Sequence, residues 1–289
     1  MLTKFLNPKN DLAFKRIFGT EKNKDILIHF LNDIFGRSTN PIEEVSFLKG
    51  SQDPEIVAQR VSVVDLLCHD AEGNRFIIEM QVDSEPGFEK RAQYYAARTY
   101  IEQREKGIKF ANLKSVTFLA ITDFVLFPND KKRYLTHHIT LDKETYEQNL
   151  KDFSFSFLEL PKFKKTKEQL TTLTEKWAYF FKRAMNTTEE ELPLIVGSDN
   201  IIKRAYDELN RFAWTDEELR AYESIDMKQA AEKAILEGAI EKGKIEGKAE
   251  GKAEEKFEIA KNLLLLKLSF KDISMATGLS ELEIKKLSE

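Results

Sequence analysis

The sequence predicts an α/β protein, a mixed central sheet flanked by helices with a helical C-terminal extension. Three observations carry that prediction: apolar residues at helical spacing near the N-terminus, two alternating segments joined by a short glycine turn, and a further helix followed by an apolar strand. Asn7-Pro8 marks a turn and Asn10 caps a helix over 11–18, which Gly19 ends. A second helix carries Ile26, Leu27, Phe30, Leu31 and Ile34 on one side and stops at Gly36. Residues 44–49 and 56–69 read as extended. Strands over 61–69 and 75–83 flank the turn Asp70–Asn74. A helix over 89–104 sets Ala92, Tyr95, Ala96, Thr99 and Tyr100 on one side, and 115–122 is the next apolar strand.

Beyond residue 135 the character changes. His137–Leu141 adds a strand, and 166–222 reads as helical with Leu173, Trp177, Phe180 and Phe181 as its buried stripe. Lys244, Lys248, Lys252 and Lys256 repeat every four residues, as do Glu246, Glu250 and Glu254. Like charges at that spacing weaken a lone helix, and Gly243, Gly247 and Gly251 weaken it further. The segment is therefore a tether, or a helix held by a partner helix in a homo-oligomer. The tail pairs an amphipathic helix (Ala260, Leu263, Leu264, Leu268) with two short helices around Gly278-Leu279-Ser280, resembling a helix-turn-helix. Glu281 and Glu283 at the start of its last helix suit packing or oligomerisation better than reading bases. The expected divisions are a core over 1–140, a mainly helical subdomain over 141–225, the charged repeat over 226–256 and the tail over 257–289.

The chain has 289 residues, 42% hydrophobic, enough for a sizeable core. No apolar run spans a membrane, and the N-terminus lacks the features of a signal peptide. A cytoplasmic protein is expected. The single cysteine, Cys68, excludes a disulfide framework and a Cys-rich zinc site. Net charge is −4. Residues 1–135 hold 20 Lys/Arg and 19 Asp/Glu, so any grip on a polyanion must be local.

The chemistry sits in the two central strands. A three-residue loop, Ala71-Glu72-Gly73, sets Cys68 opposite Phe76, Leu66 opposite Ile78 and Asp65 opposite Glu79. Alternation puts Gln81 on the same face as Glu79. The other face, Val64, Leu66 and Cys68 against Phe76, Ile78, Met80 and Val82, is core. Two opposed carboxylates in an apolar sheet need a proton or a cation. Hard oxygen ligands suit Mg2+ or Mn2+. The alternative is that one acid faces solvent, or pairs with Arg75 or Arg91. His69, His137 and His138 read as turn and strand residues, and no Walker, GxSxG or HExxH pattern is present.

Helix, strand with Asp, strand with Glu-x-Gln, helix and strand resembles the PD-(D/E)XK nuclease layout, which has Lys where Gln81 stands. More narrowly, residues 1–130 resemble the Rpn family of recombination-promoting nucleases, also labelled transposases. The matching pieces are Asn10-Asp11, Phe14-Lys15, Phe18-Gly19, Val63–Leu66, Ile77–Gln81 and the helix from Arg91 to Tyr100. The resemblance implies a restriction-endonuclease-like core, DNA as substrate, and metal held by Asp65, Glu79 and the Met80 carbonyl. Gln81 would orient water, Lys15 would supply the missing charge, and Asp11 and Gln93 are further candidates. The implied activity is a magnesium-dependent DNA endonuclease in recombination or anti-phage defence. A non-catalytic DNA- or protein-binding regulator that keeps the fold is the alternative. A strand-joining transposase ranks last, since no DDE-type spacing is present.

Overall fold

The computed structural model describes residues 3–48, 64–104 and 109–288. Residue 49 of the first expected extended segment and residues 56–63 of the second, including the expected strand residues 61–63, lie outside them. Asn10 caps α1 (Asp11–Phe18), its side chain accepting from the Leu12 and Ala13 N–H groups. Helix α2 (Lys24–Phe35) ends at Gly36 and buries Ile26, Leu27, Phe30, Leu31 and Ile34. Strands β1 (Val45–Phe47), β2 (Leu66–Asp70) and β3 (Arg75–Gln81) precede helix α3 (Phe88–Ile101). Strands β4 (Val116–Thr122), β5 (Leu135–Ile139) and β6 (Phe153–Glu159) follow. The helices α4 (Leu173–Arg183), α5 (Leu192–Val196) and α6 (Asn200–Glu208) lead into α7 (Asp216–Leu265).

The six strands lie in the order β1-β2-β3-β4-β6-β5. The hairpin has the predicted register: Leu66 faces Ile78 and Cys68 faces Phe76. Gly73, at φ +87°, takes the left-handed turn position, and its N–H donates to the Asp70 carbonyl. Strands β3, β4 and β6 run parallel, which sets Gln81, Thr122 and Glu159 in one row at their carboxyl ends. Strand β6 thus extends the sheet past the expected core boundary at 140. The segment read as a helical subdomain supplies this strand, which runs parallel to β4 and covers its outer edge.

Both sheet faces are covered. Leu66, Cys68, Phe76, Ile78, Met80, Leu119 and Ile121 pack with Phe14, Phe18, Phe30, Trp177 and Phe181 from α1, α2 and α4. Ile77, Phe118, Ala120 and Phe157 pack on the other face with Phe88, Ala92 and Ala96 of α3. Within the expected stripe of α4, Trp177, Phe180 and Phe181 are buried and Leu173 is exposed. Leu173 is the first helical residue and faces outward beside the capping box of Thr172 and Glu175. Val64 departs from its expected face. It packs with the Ile77–Phe88 cluster instead of beside Leu66, because β2 begins only at Leu66 and the chain bends at Asp65.

Residues 1–226 form one compact unit and 227–289 a second. The charged repeat over 244–256 is helical within α7, with its side chains exposed. In the second unit, α8 (Phe270–Thr277) and α9 (Glu281–Ser288) flank Gly278. Ala260, Ile273, Leu279 and Ile284 form its core, with Phe257, Leu263 and Leu264 against it. Leu268 lies past the end of α7 and is exposed.

Lys162 and Glu159 are both buried and paired at 2.6 Å. Glu159 also accepts from the Leu126 and Phe127 N–H groups, and Lys162 donates to the Phe127 carbonyl at 2.8 Å. The pair thereby ties the loop after β4 to the end of β6. Lys162→Met strands a buried carboxylate, and urea unfolding should show a loss of about 3–5 kcal/mol.

Candidate active site

The site is built where β2 begins. Continuing the register would pair Met80 with residue 64, but the strand begins two residues later. The Asp65 carboxylate takes the place of that ladder partner: its Oδ2 accepts the Met80 N–H at 2.6 Å. A strand residue presents its N–H and carbonyl to the same neighbour. The Met80 carbonyl therefore faces the side of β3 on which Asp65 lies. Glu79, one residue earlier, points to the opposite face of β3, the one that α3 covers.

That cover has an electrostatic consequence. Glu79 is buried, and among the described residues its Oε1 has no hydrogen-bond partner. Burial first, and then the charge of Asp65, push its carboxyl up to about 8. Burial likewise pushes Asp65 up to about 6, against the lowering effect of the Met80 N–H. The charge of Asp11 raises it, and Lys15 and Arg91 lower it. Two acids in one water-poor place share protons as a pair. A bound cation relieves the same cost.

Helix α1 brings Asp11 and Lys15 beside these acids. Gly19 permits its seating: a Cβ there would meet the Leu66 side chain at 2.7 Å and the Lys15 carbonyl at 2.9 Å. Lys15 pairs with Asp11 at 2.9 Å, and its charge acts on both Asp65 and Glu79. Lys9, just before α1, pairs with Asp123 at 2.6 Å and fixes the helix start to the end of β4.

Gln81 does not stand free to hold a water. Its Oε1 accepts from Arg91 Nη2 at 2.6 Å, and its Nε2 donates to the Asp83 carbonyl at 3.0 Å. Arg91 also pairs with Glu85 and lies over the Phe88 ring. Of the alternatives left open, Arg75 is spent on the Thr99 carbonyl, whereas Arg91 does act on both acids. Gln93 stands apart: it is exposed, and its amide donates to the Glu89 carbonyl one turn back on α3. Cys68 is buried, its thiol pushed up to about 12. His69 lies on Asp70, and His137 and His138 lie on Ser156 and Thr136. The sequence offers Arg91 as a salt-bridge partner and as the start of a family-like helix, with no role in the chemistry. A guanidinium ten residues after Gln81, at the start of the next helix, was the available signal.

Among the described residues, no group of three or more His, Cys, Asp or Glu side chains is placed to hold a metal. Two carboxylates and a carbonyl still fit Mg2+, which keeps several waters and takes only one or two protein carboxylates. The unpartnered Glu79 Oε1 is the specific observation in favour of that fit. No helix among the described residues is long and apolar enough to cross a membrane.

A raised carboxyl holds its proton in the folded chain where the unfolded chain has released it. The metal-free protein therefore loses stability from this pair as pH rises from about 4 through 6 and 8, and the loss levels off above. Glu79→Gln removes most of that loss. At pH 8.5 without metal it should be more stable than the parent by at least about 1 kcal/mol, the worth of a single pKa unit. At pH 4 the two should match. Melting curves of both proteins across pH, with chelator present, measure it.

The sequence model of the PD-(D/E)XK nuclease family transposases matches residues 8–239, from the residue before Lys9 into the exposed part of α7. Neither a curated protein nor a solved structure matches this chain. The family match covers well over half of the sequence and includes every strand and every candidate residue named above. The chain belongs to the PD-(D/E)XK nuclease family transposases.

Proposed function

We propose that this chain is a magnesium-dependent DNA endonuclease, of the Rpn kind, that hydrolyses phosphodiester bonds in recombination or anti-phage defence. The family supports a nuclease-type hydrolase in general, and its superfamily uses divalent metals. The observation that carries the finer reading is the Glu79 carboxylate, buried beside Asp65 with one oxygen unpartnered among the described residues. A structural acid pair would be expected to have every buried oxygen satisfied.

In this reading Asp65, Glu79 and the Met80 carbonyl hold Mg2+, or Mn2+ in its place. The ion, when bound, polarises the phosphate and acidifies a water. The residues of the chain do the rest. The Met80 N–H holds Asp65 in its rotamer. Helix α3 keeps water from Glu79. Lys15 brings positive charge to the α1 side of the site, with Asp11 restraining it. Because the raised carboxyls must give up protons to the ion, metal affinity rises with pH.

The long helix supports a homo-oligomer. Ile235, Leu236, Ile240 and Ile245 are exposed on α7, and the Lys and Glu rows flank the glycines. A parallel second copy sets each Lys row against the partner's Glu row. Deleting residues 238–289 should lower the mass in solution to that of one chain. An unchanged subunit number removes this part of the proposal.

Magnesium-stimulated nicking or cutting of plasmid DNA is the direct test. Asp65→Ala and Glu79→Ala should each reduce it by at least about a hundredfold, the order seen when one key stabilising group is lost. Equal cutting by these variants sinks the site assignment. DNA binding without cleavage under Mg2+ or Mn2+ selects the non-catalytic regulator instead.

A further inference from the structure

The PD-(D/E)XK pattern places a lysine two residues after its strand glutamate, and this chain has Gln81 there. An amide carries no charge, so a cation for the transferring phosphate must come from elsewhere. Among the described residues, Lys15 and Arg91 act on both carboxylates. They differ in what holds them. Lys15 is bound to Asp11 on its own helix, with Asp11 Oδ1 at 2.9 Å and Oδ2 at 3.1 Å. Arg91 is bound to Gln81 itself.

The Gln81 amide is oriented at both ends. Oε1 faces the guanidinium and Nε2 faces the Asp83 carbonyl, so a flipped amide would set N–H against N–H and oxygen against oxygen. The Phe88 ring, with its centroid 5.0 Å from Arg91 Cζ, backs the guanidinium plane. Glu85 meets Arg91 Nη1, but it is the more exposed partner, 54% against 28%. An exposed ion pair of this kind is weak and yields readily to another anion. A guanidinium has five N–H donors, and Gln81 and Glu85 each engage one terminal nitrogen.

We infer that Arg91 is the cationic catalytic residue of this site, contacting the scissile phosphate, and that Gln81 is the positioning residue that aims it. The positive charge that the pattern carries on strand β3 has moved to the first turn of α3, and the strand residue has become its bracket. The site keeps the same net charge. The planar fork of arginine can also grip two phosphate oxygens at once, which a lysine cannot. The inference rests on the proposed nuclease activity and deepens it.

The experiment compares the parent with Arg91→Met, Gln81→Leu, and the double variant Gln81→Lys with Arg91→Met, in Mg2+-dependent plasmid cleavage. Arg91→Met should lose about a hundredfold or more in kcat. Gln81→Leu keeps the guanidinium but frees it, and should lose about tenfold in kcat with KM little changed. The double variant returns the charge to the strand and should recover at least about tenfold over Arg91→Met. Melting temperature is read for each. If Arg91→Met does not fold, the Gln81→Leu result and the activity of the double variant decide. Arg91→Met within about threefold of the parent overturns the inference. So does a folded double variant no better than Arg91→Met, since a purely structural arginine is not replaced by a strand lysine. An active parent with either of these outcomes retires Arg91 alone. A parent that cleaves under no divalent metal retires the nuclease reading and Arg91 with it.

Discussion

The desolvation of one carboxylate pair constrains the rest of the first unit. Glu79 sits under α3 and Asp65 closes the end of β2, so neither can shed its charge into bulk water. The cost is tolerable only because compensating groups converge from separate elements: the Met80 N–H from β3, Lys15 from α1 and Arg91 from α3. Each arrives by a packing decision made elsewhere. Gly19 lets α1 close on Leu66. Phe88, Ala92 and Ala96 seat α3 on Ile77 and Phe118. The aromatic cluster of Phe14, Phe18, Phe30, Trp177 and Phe181 fixes α1 against α2 and α4. A nonpolar core thus aims the polar groups.

Much of this was legible in the sequence because it is local. The hairpin register follows from one left-handed glycine, and the observed pairs Leu66–Ile78 and Cys68–Phe76 are those the turn dictates. Asn10 and Gly36 bound their helices by the short-range chemistry of caps. Asp11 and Lys15 lie one turn apart, so their pairing follows from helical spacing once α1 is placed. Extrapolation failed where a periodic rule was carried past the end of its element. Val64 changes face because β2 begins only at Leu66, and Leu268 is exposed because α7 stops at Leu265.

What spacing cannot show is contact between distant segments. Strand β6 joins the sheet directly beside β4, and β5, which precedes it in sequence, lies outside it at the edge, an order that leaves no local signature. The burial of Glu79 depends on α3, and a strand pattern of charged and apolar residues says nothing about a helix laid over it. Gln81 is the instructive case. Its type alone suggests an amide that orients water. Its bonds to Arg91 and Asp83 show an amide already committed to protein groups. The alternative partner for the acids, Arg75, is drawn off by the Thr99 carbonyl on α3, whereas Arg91 acts on both of them.

The same arrangement bears on how a chain of net charge −4 can present a site to a polyanion. The cations around the carboxylates are ion-paired: Lys9 with Asp123, Lys15 with Asp11, and Arg91 with Glu85. At rest the region is close to neutral and exerts little long-range pull. Two of these three acids, Asp11 and Glu85, are substantially exposed and can turn into water at small cost. In the proposed reaction, a phosphate that displaces them meets Lys15 and Arg91 while the acids are rehydrated. Binding then exchanges one anion for another, with no new charge to neutralise. Such a site gains little from electrostatic steering, and in the proposed reaction a divalent ion held by Asp65 and Glu79 would favour phosphate over carboxylate. The acids that make the folded chain costly at high pH are therefore the groups on which the proposed selectivity for phosphate depends.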